Sequence, residues 1–333
     1  MINSAVIAGG WMLFAAAQVN PVAGASSGDH AASIMPKKTV AARIVRMIRV
    51  DPPADPLTMP TDVAVGRDGV IYVADGVNDR VVMFDAQGSY SGALSSIGDV
   101  TLSNPIGLAV EVDNHLWITD NGHHRVVRVS ADRTVAEVIN LNLADAPADA
   151  APIDPTGIVV TPDGKRLYVV DNDHHRIRVR DNASGFVRAV GSPGASLGQL
   201  QWPFLAALDA DGALYVTEAI GGRAQRLDRD LRWTSAIGRW GVSEGQLYRP
   251  KGVAVDGKNR VLVGDSTLGA VQVFNSRGRF LGVFTDKAGR VIRFSHPMGM
   301  AIDGAGRLLV VEAGANQVSV VEFVAGGEVE GSR

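Results

Sequence analysis

The sequence contains no cysteine. That excludes disulfides, cysteine-ligated zinc, a thiol nucleophile and a lipidated N-terminal cysteine. It does not exclude export, because a large β core needs no disulfide staples. An excess of one charge is also lacking. The 32 Lys and Arg stand against 35 Asp and Glu, a formal net charge of −3. Nothing therefore marks the whole chain as a polyanion binder, and no nucleic-acid partner is expected. Long apolar runs are missing beyond the N-terminus. Ala5 to Val19 is apolar apart from small residues and Gln18, and it is short of the about 20 residues a membrane span needs. Followed by Ala23-Gly24-Ala25, it has the form of an export signal, although Met1 to Ser4 carries no Lys or Arg. Cleavage there and an uncleaved anchor are both open. No long stretch shows a 3.6-residue apolar period, so helix is a minor component.

What is present is a repeat. Apolar residues make up 46% of the chain, and there are 38 glycines, as many strands joined by tight turns require. Prolines at Pro60, Pro105, Pro155, Pro203, Pro250 and Pro297 are separated by 45, 50, 48, 47 and 47 residues. A fixed period in this range marks a propeller or solenoid. After each proline come a short apolar strand, a turn, a strand ending in an acid, and further strands. The fifth copy shows the layout: Gly252–Asp256, Arg260–Asp265, Ala270–Phe274 and Arg279–Phe284, punctuated by Gly, Asn and Asp. Each copy reads as a four-stranded antiparallel blade, and six blades around an axis bury what one cannot. The sixth copy lacks its last strand. Arg43–Val50, ahead of the first proline, supplies a strand that would complete it, close the ring and protect two edges. The expected fold is an all-β six-bladed propeller. The expected divisions are 1–25 as signal peptide or anchor, 26–42 as flexible leader, 43–324 as propeller and 325–333 as flexible tail.

The copies resemble the NHL repeat. Pro250-Lys251-Gly252-Val253-Ala254-Val255-Asp256, Ile71-Tyr72-Val73-Ala74-Asp75 and Asn78-Asp79-Arg80-Val81 carry the likeness, as do the connectors Gly194 to Pro203 and Gly241 to Pro250. The resemblance implies the six-bladed architecture and leaves function open, since propellers of this kind host lyases, lactonase-like enzymes, RNA binders and protein-binding modules. The zinc-dependent peptide-amidating lyases of this architecture carry histidines just after the blade-start prolines. Here those places hold Thr61, Ile106, Thr156, Phe204, Lys251 and Met298, so that ligand set is absent.

Three groups of residues compete for a role. The acid closing the second strand pairs in spacing with an Arg five residues on, as in Asp75 and Arg80, Asp120 and Arg125, and Asp171 and Arg176. Such a pair ties down the intervening loop without a ligand. His123-His124 and His174-His175 occupy equivalent loops of neighbouring blades beside acids, a donor set suited to a divalent metal. The repeat itself supplies the second His of each doublet, and adjacent rim loops sit apart, so no metal and no cofactor are expected. The third group lies on linkers entering blades four and five: Trp202, Phe204, Arg239, Trp240, Tyr248, Arg249 and Lys251. Aromatics beside Arg and Lys are the residues enriched at interaction hot spots. The competing reading is that these aromatics plug gaps between blades. The acidic, Ala- and Pro-rich linker Asn140 to Asp154 is either a partner-facing flap or a tolerated insertion.

These residues point to an exported, periplasmic or extracellular monomer. It would be non-catalytic and would bind a protein, peptide or glycan through the face bearing the blade-entering linkers. An enzyme of lyase or lactonase-like type, with Asp62, His296 and Lys251 at a channel mouth, is the first alternative. An RNA-binding NHL domain is the second.

Overall fold

The computed structural model describes residues 36–141 and 151–324. The expected signal or anchor (1–25), most of the expected leader, the tail at 325–333 and the middle of the long acidic linker lie outside the described residues.

The chain forms six four-stranded blades, each an antiparallel sheet written here from axis to rim. Blade one is Asp62–Val65, Ile71–Asp75, Arg80–Phe84 and Tyr90–Leu94. Blade two is Pro105–Val110, Leu116–Asp120, Arg125–Val129 and Ala136–Ile139. Blade three is Pro155–Val160, Arg166–Asp171, Arg176–Asp181 and Val187–Val190. Blade four is Pro203–Leu208, Leu214–Glu218, Arg223–Leu227 and Trp233–Ile237. Blade five is Pro250–Val255, Arg260–Asp265, Ala270–Asn275 and Phe280–Thr285. Blade six is Pro297–Ile302, Leu308–Glu312 and Gln317–Phe323, with Thr39–Ile48 outermost.

Burial explains the sequence of each strand. Second strands are covered on both faces, so Ile71–Asp75, Leu116–Asp120 and Leu308–Glu312 are buried throughout and read as near-continuous apolar runs. Outermost strands such as Tyr90–Leu94 are largely exposed and mixed in composition. Apolar side chains gather into six clusters, one at each blade-to-blade interface. Val253, Val261 and Phe274 of blade five pack on Tyr215 and Ile237 of blade four, for example. The other five clusters join the remaining neighbours in turn.

Each innermost strand contacts the next around the ring. The approach is closest at the glycine two residues after the proline. A Cβ on Gly252 would lie 1.9 Å from the Met298 carbonyl oxygen, and one on Gly107 2.1 Å from that of Thr156. Hydroxyls of Thr61, Thr119, Thr156 and Thr217 donate across interfaces to the carbonyls of Ile106, Thr156, Phe204 and Lys251. The Gly299 N–H donates to the Thr61 carbonyl. These bonds join five of the six neighbouring pairs of blades around the axis.

The ring closes as the sequence suggests, with a different extent. The closing strand is Thr39–Ile48 and pairs antiparallel with Gln317–Phe323, from Ala42 opposite Phe323 to Ile48 opposite Val318. It therefore begins within the stretch expected as leader, four residues before Arg43. Its first residues, Thr39 to Ala41, pair parallel with Val283 to Thr285 of blade five. Val40 and Ala42 are buried in the cluster between blades five and six, which is why this stretch is ordered strand. Among the described residues no helix is long and apolar enough to cross a membrane.

Candidate functional site

The acid at the end of each second strand organises one face of the ring. Asp75, Asp120, Asp171, Glu218, Asp265 and Glu312 are all buried. Each accepts a hydrogen bond from the backbone N–H seventeen residues before it, in the linker entering its own blade. The donors are Thr58, Ser103, Asp154, Gln201, Tyr248 and Ser295. The expected Arg partners are present: Arg80, Arg125, Arg176 and Arg223 donate to Asp75, Asp120, Asp171 and Glu218 at 2.6–3.2 Å. Asp265 lies opposite Ala270 and instead accepts the N–H groups of Arg249, Thr267 and Leu268. At Asp171, burial pushes the pKa up, but hydrogen bonds from Arg178 and His174 outweigh it and hold the carboxyl below its ordinary value. These carboxylates are spent on holding loops.

The histidine doublets belong to the same scaffold. His123 and His174 sit against Asp120 and Asp171 at 2.9 and 2.8 Å. His124 reaches the Ile153 carbonyl, and His175 accepts the Trp202 N–H at 3.0 Å. Each doublet joins one blade to the linker of the next. Among the described residues, the one trio of metal-type donors is elsewhere, Glu111, Asp113 and His115, in the turn after the innermost strand of blade two. Both Glu111 carboxylate oxygens already accept hydrogen bonds, from Trp117 and Arg128.

The linkers entering blades four and five share one closed loop. In the second, Leu247 N–H donates to the Arg239 carbonyl, Gly241 N–H to the Leu247 carbonyl and Ser243 N–H to the Gln246 side chain. Gly241 has φ +146°, a conformation that favours glycine, and a Cβ there would also displace the Gln246 amide. A glutamine on the third strand holds each loop from beneath. Gln272 accepts the Gly245 N–H and donates to the Gln246 carbonyl. Gln225 accepts the Gly198 N–H and donates to the Gln199 carbonyl. Sequence reading missed these two glutamines, although their shared place, seven residues after Glu218 and Asp265, is visible when the copies are aligned.

On this platform two of the aromatic residues face water, while Phe204 and Tyr248 are half-buried. Trp240 is 63% exposed and Trp202 44%. Trp240 packs on the half-buried Tyr248 at 5.7 Å, and the Arg249 guanidinium lies 6.0 Å from the Tyr248 ring. Trp202 packs edge-on against His175 at 5.0 Å. Between the two tryptophans runs the loop Ala219 to Gly222 of blade four. The Ala219 N–H bonds to the Trp202 carbonyl, and a Cβ on Gly222 would meet Trp240 at 2.8 Å. Its Ile220 is 42% exposed. Trp202, Ile220 and Trp240, all exposed, therefore follow one another across the linker face of blade four. Arg239 is exposed beside Trp240.

Nearer the axis, Lys251 places its ammonium 3.6 Å from the centre of the Phe204 ring. Burial, with Arg249 nearby, pushes its pKa down to about 8. Asp62 stands where four of the other five copies have the close-approach glycine, blade four carrying Leu205. It accepts the N–H groups of Val63 and Leu108, and burial pushes its carboxyl up to about 7. Asp62, His296 and Lys251 share no described contact: His296 lies against the Gly314 loop, and each of the three has different neighbours.

Comparison with known proteins agrees with the fold. The NHL repeat pattern matches residues 102–129 and 153–179. No curated protein matches the chain. Among solved structures, the chain is similar to a virginiamycin B lyase from Staphylococcus aureus, at 16% identity over 85% of this chain and 88% of that one, TM-score 0.59. It is similar to a gluconolactonase from Xanthomonas campestris, at 16% identity over 85% and 99%, TM-score 0.61. It is also similar to an auxiliary nutrient-binding protein from Bacteroides thetaiotaomicron, at 12% identity over 84% and 73%, TM-score 0.62. At these identities the likeness is one of architecture.

Proposed function

We propose that this NHL-repeat propeller is an exported binding module that holds a protein, peptide or glycan partner on the linker face of blades four and five. One observation carries the reading: Trp202, Ile220 and Trp240 are exposed together on loops that are rigidly pinned from below. Exposed aromatics cost solvation unless a partner covers them. Ordering the loops in advance removes part of the entropy that binding would otherwise cost. Arg239, Arg249 and Lys251 border the three exposed residues and supply the charge that orients a partner. The nutrient-binding relative is in keeping with such a role.

Capture from a native envelope fraction tests this. The full chain retains a partner, and the Trp202→Ala/Trp240→Ala variant loses it by at least about tenfold, the cost of truncating hot-spot aromatics. A control at Val138, an exposed residue on the outermost strand of blade two, keeps the partner. Equal capture by the double variant would overturn the proposal.

A further inference from the structure

Lys251 is the one ionisable residue among the six that follow the blade-start prolines; the others are Thr61, Ile106, Thr156, Phe204 and Met298. It sits one residue inside the linker-face end of an innermost strand, beside the axis. Among the described residues no carboxylate pairs with its ammonium. None of the ion pairs found among the described residues includes it. The one described contact of its ammonium is the face of Phe204, and the charge acting on it is Arg249, of the same sign. The nearby carboxylates are committed elsewhere, Asp265 to four backbone N–H groups and Glu218 to Gln201, Arg223 and Gln225. A desolvated ammonium with no counter-ion costs free energy, and such costs are characteristic of functional sites.

We infer that this axial mouth is an anion site, in which Lys251 supplies the charge that holds a carboxylate borne on an apolar or aromatic body. The assignment rests on the loop-face reading and gives it a ligand chemistry: the partner carries an acidic group that reaches the mouth while its apolar part covers Trp202 and Trp240. A carboxylate suits the site better than a phosphate. One ammonium floored by an aromatic ring matches a single negative charge, whereas phosphate sites gather several backbone N–H groups or forked guanidinium donors. Around this axis the innermost strands display carbonyls that are already hydrogen-bonded to the neighbouring blade.

The test uses the full chain and three small probes: N-acetylphenylalanine, its uncharged amide and inorganic phosphate, followed by ligand-observed NMR and calorimetry. The acid binds at least about tenfold more tightly than the amide, the difference a desolvated ion pair makes. Lys251→Gln removes that preference, and Lys251→Arg, which keeps the charge, retains it. Equal binding of acid and amide by the wild type, or a preference that survives Lys251→Gln, would overturn the anion site. Displacement of the acid by an equal concentration of phosphate would overturn the carboxylate assignment. Envelope capture separates this from the broader reading. If Lys251→Gln still holds a partner that Trp202→Ala/Trp240→Ala loses, the acidic anchor fails and the loop face stands. If the acid preference depends on Lys251 while the wild type captures nothing, the anion site stands and the loop-face reading fails.

Discussion

Asp62 shows how one residue can depart from a repeat and leave a measurable trace. In blades two, three, five and six the equivalent residue is glycine, because the neighbouring backbone leaves no room. In blade one a carboxyl fills the space, and Gly299 of blade six accommodates it: a Cβ there would lie 2.0 Å from Asp62. Burial raises the folded-state pKa to about 7, against about 3.9 for an unfolded aspartate. Between those values the folded chain binds more protons than the unfolded one, so this group makes stability fall as pH rises from about 4 to about 7. Asp62→Asn abolishes that dependence. Measured by urea unfolding, the variant gains on the wild type between pH 4.5 and 8 by up to about 4 kcal/mol. Any constant offset reflects the N–H group of Val63 or Leu108 that an amide cannot also accept. A difference that does not change with pH would mean that Asp62 is ionised throughout. Little of this was legible beforehand. The residue is ordinary in composition, and only its place in the repeat, next to a backbone from another blade, makes it unusual.

At the scale of the element, the linkers entering blades four and five are shaped by contacts from below. Gln272 satisfies two main-chain groups of the loop that displays Trp240. Replacing it by alanine takes a partner from a half-buried N–H and a half-buried carbonyl, at a cost of about 1 kcal/mol. Faster amide exchange at Gly245 to Leu247, with exchange in the linker before blade two unchanged, is the expected sign. Unchanged exchange at the loop would show that its own internal bonds suffice. The acids and prolines that frame these linkers were readable because they recur. The aromatics were readable as candidates because they stand beside Arg and Lys in the two linkers. Whether they faced water was not, since exposure depends on how Ala219–Gly222 threads between Trp202 and Trp240.

At the scale of the whole molecule, the six-blade count and the closing strand followed from period and from one missing strand. The added parallel pairing of Thr39 to Ala41 with blade five did not, because pairing across more than 240 residues leaves no local pattern. The closing strand tests the ring as a unit. Deletion through Ala41 removes the parallel arm together with the buried Val40 but leaves the antiparallel pairing from Ala42 onward, and lowers the melting temperature by about ten degrees or less. Deletion through Asp51 also uncovers Gln317–Phe323 and is expected to abolish a single cooperative transition, read by calorimetry. Equal melting of the two truncated forms would show that the ring does not depend on its seam. The seventeen-residue anchor has a further consequence. Each buried acid takes hold of a linker by its main-chain N–H, which every residue but proline can offer. Linker side chains can therefore be rewritten while the loop's end point stays fixed. This gives the propeller six interchangeable display positions on a constant frame, so that a change of linker sequence alters what the face presents without moving the blades that carry it.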